Sequence, residues 1–225
     1  MSLLMLVRHG QASFAVDRYD RLSELGVAQS RALGAWAGGS AGRWSALRHG
    51  PRRRHADTAS ELSKAAGLSL GLQFDEGIDE FAEGEEILAA AGELFGRPMQ
   101  GPDAPPRAEQ LRCYEAAYQA WARGELEIAG RESYREFRRR ICRWLDGVTD
   151  GGGEPGGRHL IAVSSAGVIC AVVCEVLDLP DQQWTALIRV IQNASLTEVL
   201  FSNGRRGLKR FNCTGHLPSG LGSTI

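Results

Sequence analysis

Residues 3–10 read Leu-Leu-Met-Leu-Val-Arg-His-Gly, an apolar run cut off by a guanidinium and an imidazole. Five successive apolar residues without alternation are the pattern of a parallel strand buried on both faces. Arg8 and His9 cannot continue that core. At the carboxyl end of a buried strand they fall where open α/β sheets place their sites. Gly10 permits a sharp turn and a close approach of ligand to backbone. We read His9 as a nucleophile aimed at phosphorus and Arg8 as the holder of phosphate oxygens.

The rest of the chain alternates strand and helix patterns. Leu160 to Val163 is a second strongly buried strand, leading through Ser164-Ser165-Ala166-Gly167 into a helix over Val168 to Leu177. Trp44 to Leu47, running on into Arg48-His49-Gly50-Pro51, and the alternating Leu70, Leu72 and Phe74 supply two shorter strands. Ser23 is placed to cap a helix carrying Leu25, Ala28, Leu33 and Trp36 and ended by Gly38-Gly39. A second helix follows Arg52-Arg53-Arg54-His55 and stops at Gly67. Residues 84–148 are helical in period, with a four-proline loop at 96–106 and a capping box of Ser133 and Glu136. Leu196–Phe201 and Leu208–Phe211 flank Asn203-Gly204, a hairpin with a loop longer than two residues. The tail from Asn212 is polar and expected to be loosely held. The glycine-rich stretch 151–157 precedes a strand, so it is not a phosphate-cradling loop.

These patterns predict a three-layer α/β/α sandwich with a mostly parallel sheet. We expect one domain over 1–225, with the block at about 84–148 forming a helical cap near the site. The 225 residues carry a formal charge of −1. That balance argues against nucleic acid, and no apolar run is long enough for a membrane span. Five cysteines without close pairing, and the absence of a signal-peptide pattern, point to reduced thiols in a cytoplasm. His49, His55, His159 and His216 show no metal-ligand spacing.

Phosphoryl transfer needs a nucleophile, positive charge on the equatorial oxygens and an acid for the leaving group. Arginine suits the second task because its planar fork matches two oxygens. Arg54 stands at the start of a helix, whose N-terminus adds N–H groups and partial charge. Read by itself, it is one of four neighbouring arginines, with Arg48, Arg52 and Arg53, and a solvated basic face explains it equally well. Glu80 is an acid placed to protonate the leaving alkoxide, with Glu76 its competitor in a run of seven acids between Asp75 and Glu86.

The distributed motifs resemble the histidine phosphatase superfamily, the phosphoglycerate mutase-like group. Leu6-Val7-Arg8-His9-Gly10 is similar to its opening motif. Leu22 to Gln29 resembles its Leu-Thr-x-x-Gly-x-x-Gln segment. Gly50 to Ala59 resembles its Ser-Pro-Leu-x-Arg-Ala-x-Gln-Thr-Ala, which puts the second arginine at Arg54. Ile78-Asp79-Glu80-Phe81 resembles the segment that carries the acid, and Glu132-Ser133 matches the Glu-Ser before a late helix. Val163 to Ile169 lies where the family has Val-Ser-His-Gly-Gly-Val-Ile.

Two departures stand out. The family's second pocket histidine falls at Ser165, which brings a hydroxyl donor and no positive charge. Losing a charged donor in a closed site costs ~2–4 kcal/mol, or ~10²–10³ in rate. The family's Arg-His-Gly-Glu-Thr-x-x-Asn opening reads Gln11, Ala12 and Ala15 here, leaving Gln11 as its polar phosphate-binding candidate. The resemblance then implies a phosphomonoester hydrolase acting through a phosphohistidine at His9. Arg8, Arg54, Gln11 and Ser165 bind phosphate, and Glu80 is the acid and later the base. No metal or organic cofactor is implied. The partner is a small phosphorylated substrate or inorganic phosphate, and the assembly state is left open, a dimer being one candidate. A weakly catalytic phosphate-binding regulator and a phosphoglycerate mutase-type phosphotransferase are the rivals.

Overall fold

The computed structural model describes residues 1–12, 20–39, 44–150 and 157–224. The strands among them are β1 (Ser2–Arg8), β2 (Ala46–His49), β3 (Leu72–Phe74), β4 (His159–Ser164), β5 (Leu196–Ser202) and β6 (Arg205–Cys213), in sheet order β3-β2-β4-β1-β5-β6. β1, β4, β2 and β3 pair in parallel. β5 runs antiparallel to both β1 and β6. The sheet is therefore mixed, and β5 alone runs against the other strands.

The antiparallel strand follows from the hairpin. Asn203 and Gly204 have φ of 49° and 73°, and Ser202 pairs with Arg205. Two successive positive φ values make a type I′ turn, whose twist suits the flanking strands. The loop is thus shorter than the sequence pattern suggests, because both strands continue to its edge. β3 departs too: all three of its residues are exposed, so its apolar alternation marks a sheet edge, not a buried face.

The helices are α1 (Glu24–Gly38), α2 (Arg53–Ala66), α3 (Gly84–Phe95), α4 (Arg107–Ala122), α5 (Tyr134–Thr149), α6 (Ala166–Val176) and α7 (Gln182–Ile188). Ser23 Oγ accepts from Gly26 N to start α1. Ser133 and Glu136 form the expected capping box of α5. α7 is an addition, since seven residues are too few to show a helical period in the sequence.

Alternation along the strands divides the core in two. Leu3, Met5, Val7, Ile161 and Val163 meet Leu33, Ala59 and Leu62 of α1 and α2 on one face. Leu4, Leu6, Leu160 and Ala162 meet the α3–α7 side, including Ile87, Trp121, Phe137, Ile169 and Trp184, on the other. A Cβ at Gly34 would stand 2.5 Å from the Leu62 carbonyl, so glycine sets the close crossing of α1 and α2. α5 packs against α6 and against the 3-10 turn at Glu76–Ile78.

The tail is tied down, contrary to expectation. Asn193 N donates to Ser223 O at 2.8 Å, and Gln29 Nε2 donates to Leu221 O at 2.7 Å and to Ser223 Oγ at 2.9 Å. Its polar residues serve buried partners that no local pattern reveals. Ala15, most of the expected loop after Gly10, and most of the glycine-rich stretch lie outside the described residues.

Candidate active site

Three adjacent strands end at one edge of the sheet. Arg8 is level with Ser164 across β1 and β4, and His49 with Val163 across β2 and β4. The chain therefore delivers Arg8-His9, Ser165 and the first turn of α2 to one place. A cavity of about 680 Å³ opens there, with Arg8, His9, Arg54, Glu80 and Ser165 in its wall.

His9 is 5 % exposed. Its Nδ1 lies 2.7 Å from the Gly10 carbonyl. A carbonyl only accepts, so Nδ1 carries the proton and Nε2 keeps its lone pair. Burial, then Arg54 and Arg8, hold its pKa well below the usual 6.5. The ring is neutral at pH 7, the state a nucleophile requires. Gly10 N donates to Thr58 Oγ1 at 3.0 Å, and Thr58 Oγ1 donates to Arg54 O at 2.7 Å, joining the His9 turn to α2. A Cβ at Gly10 would overlap the Gly26 carbonyl.

The two arginines converge on the cavity from separate elements. Arg8 Nη1 donates to Ile191 O at 2.6 Å and to Thr224 O at 2.9 Å. Arg54 Nη1 donates to Asp20 Oδ1 and to Glu83 Oε2, both at 2.9 Å. Asp20 also accepts from Arg53 N at 2.8 Å and Arg54 N at 3.3 Å, so it caps α2 from outside the helix. No local motif announces Asp20. Of the four arginines around α2, Arg54 alone lines the cavity. Arg48 pairs with Asp75 at 3.1 Å, Arg53 with Asp57 at 3.6 Å, and Arg52 with Asp79 and Glu83. Much of the acidic run is thus paired with arginine.

Glu80 is 8 % exposed in the cavity wall, whereas Glu76 is exposed and outside it. Glu80 Oε2 accepts from Gly167 N in the first turn of α6, and Oε1 accepts from Phe81 N, each at 3.0 Å. Burial pushes its pKa above the usual 4.5, against the pull of those N–H groups and of Arg54 and Arg52. The approach depends on Gly167, where a Cβ would overlap Glu80 Oε1. Both neighbours are anchored. Phe81 stacks on Trp121 at 4.3 Å, and Trp184 Nε1 donates to Gly167 O at 2.9 Å.

Gln11 is not brought to the cavity wall. Its Oε1 accepts from Ser23 Oγ at 2.9 Å, and its backbone N donates to Gln29 Oε1 at 2.8 Å. Ser165 occupies the N-cap position of α6 but its side chain makes no cap bond. Its Oγ lies instead 2.6 Å from His55 Nε2. His55 is the site-adjacent residue that sequence reasoning passed over. The outer wall comes from α3, α4 and α7, with Leu88, Leu111, Tyr114 and Ile188 half-buried. Among the described residues no group of three or more His, Cys, Asp or Glu is arranged to hold a metal, and no helix is long and apolar enough to cross a membrane.

A buried neutral imidazole, two arginines and a buried carboxyl gathered around one cavity beyond the ends of parallel strands are the kind of set that handles phosphate in an α/β protein. The chain belongs to the histidine phosphatase superfamily (branch 1), whose profile matches residues 4–214. That membership supports a phosphatase or phosphotransfer activity. No curated protein sequence matches the chain. Among solved structures, a phosphoserine phosphatase mutant from Entamoeba histolytica, in complex with phosphoserine, is 19 % identical with a TM-score of 0.68, covering 97 % of this chain and 100 % of its own. A mycobacterial glucosyl-3-phosphoglycerate phosphatase is 24 % identical with a TM-score of 0.67, covering 96 % and 100 %. A phosphoglycerate mutase from Bacillus anthracis is 18 % identical with a TM-score of 0.64, covering 96 % and 94 %. These likenesses establish the phosphoglycerate mutase-like α/β fold.

Proposed function

We propose that the protein hydrolyses phosphomonoesters through a phosphohistidine at His9. The carrying observation is the Nδ1–H of His9 donating to Gly10 O, which leaves Nε2 unprotonated in a cavity that also holds Arg8, Arg54 and Glu80. Nε2 attacks phosphorus, and the P–O bond to the leaving group breaks. The alkoxide takes its proton from Glu80, whose raised pKa suits a general acid. Gly10 O stabilises the positive charge that develops on the ring. Arg8 and Arg54 balance charge on the equatorial oxygens. In the second half, the Glu80 carboxylate takes a proton from water as that water attacks phosphorus. Phosphate leaves and His9 returns to its neutral state. Ser165 donates a further hydrogen bond to the phosphate.

The leaving group is sizeable and partly apolar. A cavity of about 680 Å³ far exceeds a phosphate and falls in the ~300–1,000 Å³ range of small-molecule sites. Leu88, Leu111, Tyr114 and Ile188 give its outer part aliphatic and aromatic surface.

Wild type and His9→Ala, assayed with p-nitrophenyl phosphate and a panel of phosphomonoesters, test the reading. Turnover that disappears in the variant is expected. No turnover in either, with inorganic phosphate still bound, would make the chain a phosphate-binding protein instead.

A further inference from the structure

We propose that His55, on the first turn of α2, is a positioning residue that turns the Ser165 hydroxyl toward the phosphate. The inference deepens the phosphate-site reading above and rests on it.

His55 is fully buried, and its Nε2 lies 2.6 Å from Ser165 Oγ. Its ring centroid is 5.7 Å from that of His9. Ser165 itself is 2 % exposed and lines the cavity; His55 does not. The imidazole therefore makes its hydrogen bond to the cavity wall through the hydroxyl. Burying a polar ring costs free energy that an apolar side chain would avoid. Packing alone gives no reason for a histidine here.

The direction of the hydrogen bond follows from the other nitrogen. His55 Nδ1 is buried with no hydrogen-bond partner. A buried unpaired N–H is rarer and costlier than a buried unpaired acceptor. The proton therefore sits on Nε2, and Nε2–H donates to Ser165 Oγ. The Ser165 hydrogen is left unspent on His55 and is aimed at the cavity. With the other tautomer the hydroxyl would donate to His55 and offer the phosphate only lone pairs. Burial, followed by the positive charge of Arg54, keeps the His55 pKa well below 6.5, so the neutral form prevails.

Gly50 is the companion of this arrangement. A Cβ there would stand 2.5 Å from His55 Nδ1 and 2.8 Å from the Ile78 carbonyl. Both the ring and the backbone are buried, so neither has room to yield. Glycine just after β2 leaves the space in which the ring reaches Ser165.

Inorganic phosphate titrated calorimetrically into wild type, His55→Phe, Ser165→Ala and the double variant tests the coupling without requiring turnover. We expect ~10-fold weaker binding in each single variant, the scale of one hydrogen bond to a charged group, and no further loss in the double variant. His55→Gln, whose Nε2–H sits near that of histidine, should bind within ~3-fold of wild type. Multiplying effects in the double variant, or unchanged binding in a folded His55→Phe, would overturn the proposal. Should His55→Phe fail to fold, the His55 ring nitrogens of the wild type answer by NMR. An Nε2–H tautomer whose resonance moves on adding phosphate is expected; an Nδ1–H tautomer overturns the assignment. The turnover of wild type against His9→Ala reports separately on the hydrolase reading.

Discussion

At its buried end the cavity is walled by side chains that each touch backbone or a buried partner: His9 on Gly10 O, Arg8 on Ile191 O and Thr224 O, Glu80 on Gly167 N. At its outer end the wall is helix surface, half-buried and braced by solvent-facing ion pairs such as Arg189 with Glu115. The first kind of construction fixes charge within fractions of an ångström, which phosphoryl transfer demands. The second supplies contact area and tolerates change. On the proposed reading, chemistry and substrate choice are thus built into different materials within one cavity.

Substitutions should separate the two ends. The largest effect is expected for His9→Ala, with kcat on p-nitrophenyl phosphate falling at least ~10³-fold, as for loss of an activated nucleophile. Next, Glu80→Gln should lower kcat ~10²–10⁴-fold. Its pH profile carries a further sign. The proposed reaction needs His9 unprotonated and Glu80 protonated, so activity should decline below the depressed pKa of His9 and above the elevated pKa of Glu80. Loss of the alkaline limb in Glu80→Gln is the measurement; an unchanged limb would put the acid elsewhere.

Smaller changes are expected at the outer end. Leu88→Ala and Leu111→Ala should each lower kcat/KM ~10-fold for an apolar phosphomonoester while inorganic phosphate inhibits as before. Equal losses for phosphate itself would erase the contrast between the two ends. Ser165→His is a test at the boundary. The family resemblance by itself predicts that a histidine at 165 holds or raises activity. The ring of His55 already stands 2.6 Å from the serine oxygen, so the larger side chain overpacks a buried site, a change worth ~1–3 kcal/mol. A lower melting temperature and lower activity are expected.

The smallest effect concerns stability against pH. His9 and His55 are held neutral below the ordinary 6.5. The unfolded chain takes up protons there that the folded chain refuses. Stability is complete above that value and falls as the pH drops through it. Melting temperatures at about pH 7.5 and about pH 5.5 should show the decline, and His55→Gln should show a shallower one.

Sequence revealed the features whose causes are local. The unbroken apolar run before Arg8, the capping box at Ser133 and the Asn203-Gly204 turn each carry their physics within a few residues. Arg54 and Glu80 needed family spacing to be picked from crowds of like charge. Asp20 and the tail were illegible because their partners are distant in the chain, and α7 because seven residues are too few to show a period. Gln11 and His55 show the same limit in opposite directions. The polar side chain of Gln11, two residues after His9, accepts from Ser23, the serine that caps α1. A histidine where the family segment has alanine meets Ser165, 110 positions further on.

The grip of the Ile191 and Thr224 carbonyls on Arg8 spans 183 and 216 positions of the chain. During synthesis β1 emerges long before Ile191 and Thr224, so the Arg8 guanidinium gains these partners only after the segments that carry them have left the ribosome. A nascent chain thus carries Arg8 well before it owns the carbonyls that hold it.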